Sequence, residues 1–180
     1  MIPNMNLSEV KTESIKADGY VMKILAVEID KQYNRLKLKC DIAEGDKAGY
    51  YQRLEDRANF WGMYVSMYMD EDKKWRFART IDAICESNDD FTWNYDGEND
   101  EQTMVGKLIG VVTRLKEYYG NDGQLKSKLV AYSTTTVEDI RTKNYTVPEP
   151  KRVEEKAAFT GSVVDTTAGF EEIKTDDIPF

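Results

Sequence analysis

Alternation is cleanest between residues 35 and 42. There Leu36, Leu38, Cys40 and Ile42 fall on one side of the chain, and Arg35, Lys37, Lys39 and Asp41 on the other. Side chains of an extended chain point to opposite faces in turn, so this stretch predicts a strand with one buried face. Residues 19–29, GYVMKILAVEI, are rich in strand-forming types and predict a strand just before it, with residues 30–34 as a polar turn between the two. Residues 60–69 alternate again. Trp61, Met63, Val65, Met67 and Met69 share one side; Phe60, Tyr64, Ser66 and Tyr68 share the other.

After the acidic punctuation Asp70-Glu71-Asp72 the period changes. Phe77, Ile81, Ile84 and Cys85 recur at helical spacing, so an amphipathic helix is predicted, with Asp72 as a candidate cap and Ser87-Asn88 as its end. Residues 88–106 read as an acidic insertion around Phe91, Trp93 and Tyr95. Residues 107–119 predict a fourth strand. Gly120-Asn121-Asp122-Gly123 is a hairpin turn signal, and residues 124–132 predict the returning fifth strand. A short helix is expected up to Lys143, capped by Thr136, before Pro148 and Pro150 close the folded region. Gly45 and Gly49 bracket a loop, and the Tyr50-Tyr51 pair after it fits either a buried strand or a stacking pair.

The order is strand, strand, strand, helix, strand, strand. The predicted fold class is therefore mainly β: a five-stranded OB-fold barrel with a helix between strands 3 and 4, plus a disordered C-terminal tail. Residues 1–18 are expected to be a flexible lead-in, 19–148 the barrel domain, and 149–180 the tail. In such a barrel the apolar sides of strands 2 and 3 fill the core. Arg35, Lys37 and Lys39 then share an outer surface with Phe60, Tyr64 and Tyr68. Cations that follow phosphates beside rings that stack bases are the means by which OB-folds hold single-stranded nucleic acid. Lys126 and Lys128 on strand 5, and Arg114 and Lys116 on strand 4, extend this track. Tyr51 is a further candidate for stacking, and Tyr33 and Tyr118-Tyr119 sit in or beside the turns. The same alternation of Lys and Arg also fits an ordinary solvated face.

Charge tempers this picture. The chain carries 25 basic and 33 acidic residues, a net charge of −8. Residues 149–180 hold eight acidic and four basic residues, so the tail and the body each carry −4. Net charge does not decide polyanion binding when cations gather on one surface. The chain has no histidine, the commonest acid–base side chain and metal ligand near neutral pH, so binding is expected rather than catalysis. Cys40 and Cys85 have no zinc-like spacing, and Asp96, Glu98 and Asp100 lack the glycine and distal glutamate of a calcium loop. Gly106-Lys107 lies outside any phosphate-loop pattern. No metal, cofactor or catalytic residue is expected, nor a membrane span or signal peptide.

From residue 149 both periods disappear, as in a disordered segment. The chain ends Asp176-Asp177-Ile178-Pro179-Phe180. A terminal Phe offers a ring and an α-carboxylate together, which suits an apolar pocket rimmed by a cation; the two aspartates add attraction to a basic surface. This ending resembles the acidic, hydrophobic tip of bacterial single-stranded DNA-binding proteins. The stretches LKLKCDIAEGDKAGYYQ, IDAICESND and residues 105–112 are similar to a phage- and mobile-element-encoded type of that family, and the likeness spans most of residues 19–147. The resemblance implies binding and protection of single-stranded DNA in replication and recombination. It further implies that residues 176–180 dock replication, recombination and repair proteins, that a homo-oligomer is possible, and that the setting is a bacterial cytoplasm. The tail lacks the long Gly/Gln/Pro-rich linker of the housekeeping proteins. A rival expectation is a phage structural or assembly protein using an OB-like barrel for protein contacts. A nuclease built on the acidic loop at residues 89–101 is a second.

Overall fold

The computed structural model describes residues 14–153, so most of the expected lead-in and tail, with the expected docking residues 176–180, lie outside the described residues. Five strands form one antiparallel sheet: β1 (Gly19–Asp30), β2 (Arg35–Ile42), β3 (Tyr64–Tyr68), β4 (Leu108–Tyr119) and β5 (Leu125–Thr135). Their spatial order is β3-β2-β1-β4-β5. Helix α1 (Tyr50–Ala58) joins β2 to β3, α2 (Lys74–Ser87) joins β3 to β4, and α3 (Val137–Arg141) follows β5. The sheet is open in its hydrogen bonding, with β3 and β5 as its edges.

Alternation explains the core. Leu36, Leu38 and Cys40 of β2 and Val65 and Met67 of β3 are buried with Met22 and Ile24 of β1 and Ile109 and Val111 of β4. Each buried aliphatic side chain contributes about 1.5–3 kcal/mol. Helix α2 closes one end by laying Thr80, Ile81, Ala83 and Ile84 onto this core. Thr80 and Thr134 of β5 share a buried hydroxyl hydrogen bond of 2.8 Å, which ties the helix to the far edge. Register shifts between Ile24 and Ala26 in β1, and between Val112 and Thr113 in β4, add the bends that curl the sheet.

Two close approaches set the other end. A side chain at Gly110 would meet the Thr136 carbonyl at 2.5 Å and Ile140 at 2.7 Å, so α3 can press directly on β4. Thr136 caps α3, its hydroxyl accepting from the Asp139 amide at 3.1 Å. The last described residues return to the sheet. Lys151 pairs in parallel with Lys116, its amide donating to the Leu115 carbonyl at 2.8 Å and its carbonyl accepting from the Glu117 amide at 2.9 Å.

Three sequence expectations change. Residues 50–58 form a helix, because the Asp41 carboxylate accepts from the amides of Tyr51 (2.9 Å) and Gln52 (3.2 Å) and so caps α1 from the neighbouring strand. Asp41 is accordingly buried rather than on the outer face. The third strand begins at Tyr64 rather than residue 60, leaving Phe60 in the turn after α1. The acidic insertion is folded down by its aromatics: Phe91 is buried and Trp93 packs on the core, while exposed Tyr95 donates to Asp82. No helix among the described residues is long and apolar enough to cross a membrane.

Candidate nucleic-acid interface

On the outer face of β2 and β3 the register places Arg35 opposite Tyr68, Lys37 opposite Ser66 and Lys39 opposite Tyr64. The expected mixture of cations and rings is therefore on one surface. The cations lie directly on the rings: Lys37 over Tyr64 at 4.4 Å, Lys39 over Trp61 at 4.1 Å, and Arg35 over Tyr33 at 4.9 Å and Tyr68 at 5.9 Å. A cation over a ring face is attracted by the ring's quadrupole. Each of these cations also has a carboxylate. Arg35 is paired with Asp30 at 2.9 Å, Lys37 with Glu28 at 3.7 Å and Lys39 with Glu55 at 3.1 Å. Arg35 further donates to the Ser66 hydroxyl at 3.2 Å. Burial pushes the Asp30 carboxyl up, but hydrogen bonds from Arg35 and the Tyr33 backbone, with the charges of Arg35 and Lys37, together hold it below its ordinary range.

A second basic region lies between the two edge strands. A cleft of about 870 Å³ separates β3 from β5, with α2 along one wall. Among the described residues its lining holds six cations and no carboxylate. Arg35 comes from β2, Arg76 and Arg79 from α2, Arg114 and Lys116 from β4, and Lys151 from the returning segment. Tyr68, Trp75 and Tyr132 stand among them. Trp75 and Tyr132 are more than half exposed, although Arg76 lies 5.0 Å from the Trp75 ring and Arg114 4.6 Å from the Tyr132 ring. Apart from Arg35, none of the six makes an ion pair within the described residues.

Arg114 is the extreme case. Its guanidinium lies 4.6 Å from the centre of the Tyr132 ring. Its Nε is shut off from solvent and has no hydrogen-bond partner. A buried donor left without an acceptor costs about 1–3 kcal/mol, more on a charged group.

The hairpin continues this surface. Lys116 faces Lys128 and Tyr118 faces Lys126 across β4 and β5, so all four side chains share the face that carries Arg114. Lys128 lies 5.2 Å above the Tyr118 ring, and Lys126 is paired with Asp122 at 2.8 Å. Neither lysine lines the cleft itself.

The residues singled out from sequence thus divide. Arg35, Lys37, Lys39, Tyr64 and Tyr68 come together on β2 and β3, and Arg35 and Tyr68 reach the cleft. Phe60 is exposed but sits outside the strand. Tyr51 is a correction: it is 3 % exposed, packed edge-on to Tyr50 at 5.1 Å, and its ring belongs to the core rather than to this surface. Burial, then the neighbouring Tyr50, push its phenol well above the ordinary tyrosine range. The tip residues Asp176, Asp177, Ile178, Pro179 and Phe180 lie outside the described residues.

Sequence reasoning missed Trp75, Arg76, Arg79, Tyr132 and Lys151. The run KWRFART did carry a signal, since Trp75, Arg76 and Arg79 fall off the apolar stripe of the helix that their neighbours define. Among the described residues no group of three or more Cys, Asp or Glu side chains is placed to hold a metal ion. No family model matches the sequence, and no curated protein matches it.

Proposed function

We propose that this chain binds single-stranded DNA without catalysis and with little sequence preference, shielding it during replication or recombination. The observation that carries this reading is the cleft between β3 and β5, where six cations, five of them without an ion pair among the described residues, line one space beside exposed Tyr and Trp side chains. A flexible polyanion with accessible base faces matches both features: phosphates replace counterions at the cations, and unpaired bases stack on the rings at about 1–3 kcal/mol each. The strand order, with a helix between β3 and β4, supports an OB-type barrel that is partly open at this cleft. Residues 176–180, on their sequence alone, dock partner enzymes.

The test is a titration of the full chain with oligo-dT, the matching RNA and a duplex at two salt concentrations, read by fluorescence anisotropy. Single strands should bind more tightly than duplex, with affinity falling steeply as salt rises. Duplex binding as tight as single-strand binding, or no binding at low salt, overturns the reading. Deleting residues 176–180 should leave oligo-dT affinity the same or tighter and abolish capture of replication or repair enzymes.

A further inference from the structure

We infer that the cleft contains a fixed seat for one phosphate group, centred on Arg114 and closed from the opposite wall by Arg76 and Arg79. It rests on the polynucleotide reading only for the ligand's source; its chemistry is that of any phosphate.

Three observations converge on Arg114. Its side chain makes no hydrogen bond or ion pair with any described residue, and its Nε is hidden from water as well. No described residue therefore satisfies this guanidinium, whereas Arg35 on the same cleft is satisfied by Asp30 and Ser66. The Tyr132 ring lies beneath it, 4.6 Å away, and attracts the cation to its face. Finally, the described residues around it carry one sign of charge: Arg76, Arg79, Lys116 and Lys151 line the same space, and no described acidic residue does. Cations crowded without counterions repel one another, and the group that relieves both this repulsion and the unsatisfied guanidinium is a compact oxyanion with several acceptors. Phosphate suits the planar donor fork of arginine, which can take two of its oxygens at once. Movement of Arg114 onto a phosphate would also bare the Tyr132 ring for an adjacent base. Phosphate binding and stacking are thereby coupled at one residue.

The experiment follows thermal unfolding of the full chain in sodium pyrophosphate against sodium chloride of equal ionic strength. Pyrophosphate should raise the Tm saturably, since a ligand that binds only the folded state stabilises it. Arg114→Gln and the double variant Arg76→Gln/Arg79→Gln should each lose that rise, measured against their own chloride baseline. Lys23→Gln, an exposed cation of β1 that does not line the cleft, should keep it. Arg114→Lys guards against misfolding: it keeps the charge and the aliphatic stem, and should still lose most of the rise because it lacks the fork. In the same variants oligo-dT binding should weaken by about ten- to a hundredfold. No rise over chloride in the unaltered chain, or a rise that survives Arg114→Gln, overturns the seat. Tight oligo-dT binding without a pyrophosphate effect removes the seat and leaves the polynucleotide reading. A pyrophosphate effect without oligo-dT binding does the reverse. If a 5′-phosphorylated oligomer binds several-fold more tightly than its unphosphorylated form, the seat takes a terminal phosphate; equal binding assigns an internal phosphodiester.

Discussion

The β2–β3 face and the β3–β5 cleft contain the same residue types in opposite electrostatic states. On the face every strand cation is paired with a carboxylate and lies over a ring. In the cleft Arg76, Arg79, Arg114, Lys116 and Lys151 have no carboxylate among the described residues, and Trp75 and Tyr132 are more than half exposed. A phosphate approaching Lys39 competes with Glu55 at 3.1 Å; one approaching Arg114 competes with no carboxylate among the described residues, only with the Tyr132 ring. Counting lysines and arginines on a surface is thus a poor guide to where a polyanion is held. What matters is how many of those charges the protein has left uncompensated.

The largest effect expected is on the wall that makes the cleft. Ile84 is fully buried where α2 meets the sheet, so Ile84→Ala should cost about 2–5 kcal/mol in chemical denaturation. Because α2 carries Arg76 and Arg79, any residual folded protein should lose oligo-dT affinity more than it loses the ring contacts of β2 and β3. Next comes the direct comparison. Arg76→Gln/Arg79→Gln should weaken oligo-dT binding by roughly a hundredfold and lower the salt slope by about two. Lys37→Gln/Lys39→Gln, on the paired face, should cost only a few-fold. Equal losses in the two double variants would erase the distinction drawn here.

A smaller effect, with the opposite sign, should follow from releasing the paired face. Glu28→Gln/Glu55→Gln leaves Lys37 and Lys39 without carboxylates and should tighten oligo-dT binding by about three- to tenfold at low salt, with the gain fading as salt rises. Unchanged affinity would mean that phosphates never reach β2.

The smallest change concerns a ring that belongs to neither region. The Tyr51 hydroxyl is buried without a partner, so Tyr51→Phe should be neutral or slightly stabilising and leave oligo-dT affinity alone. Its phenol is raised in the folded chain, chiefly by burial, so folding favours the protonated form. That preference is fully present below the ordinary tyrosine range near pH 10 and is lost as pH rises through the folded value. Tyr51→Phe should therefore flatten the decline in denaturation midpoint above about pH 10.

Local periodicity made much of this molecule legible. Residues 35–42 form β2 with the boundaries their alternation implied and, buried Asp41 apart, its faces, and the helix after Asp72, the Gly120–Gly123 hairpin turn and the Thr136 cap all lie where their patterns put them. Each is a signal confined to one element, and a period of two or of 3.6 survives whatever the rest of the chain does. Helix α1 was invisible because its cap, Asp41, is supplied across space by β2 instead of by the preceding residue. Lys39 illustrates the consequence. Its place on the outer face was readable, yet its neutralisation by Glu55 depends on that unforeseen helix.

The alternation of Arg35, Lys37 and Lys39 along one strand, and of rings along the next, was settled by the order of residues alone, since the pleat sends neighbours to opposite faces. Which cations remain uncompensated was decided only in three dimensions. Register sets Glu28 against Lys37, the bulges curl the sheet until β3 faces β5, and α2 is pinned between them by Thr80 and Thr134. Electrostatic energy depends on separation through space, and residues from six segments of the chain meet at that cleft.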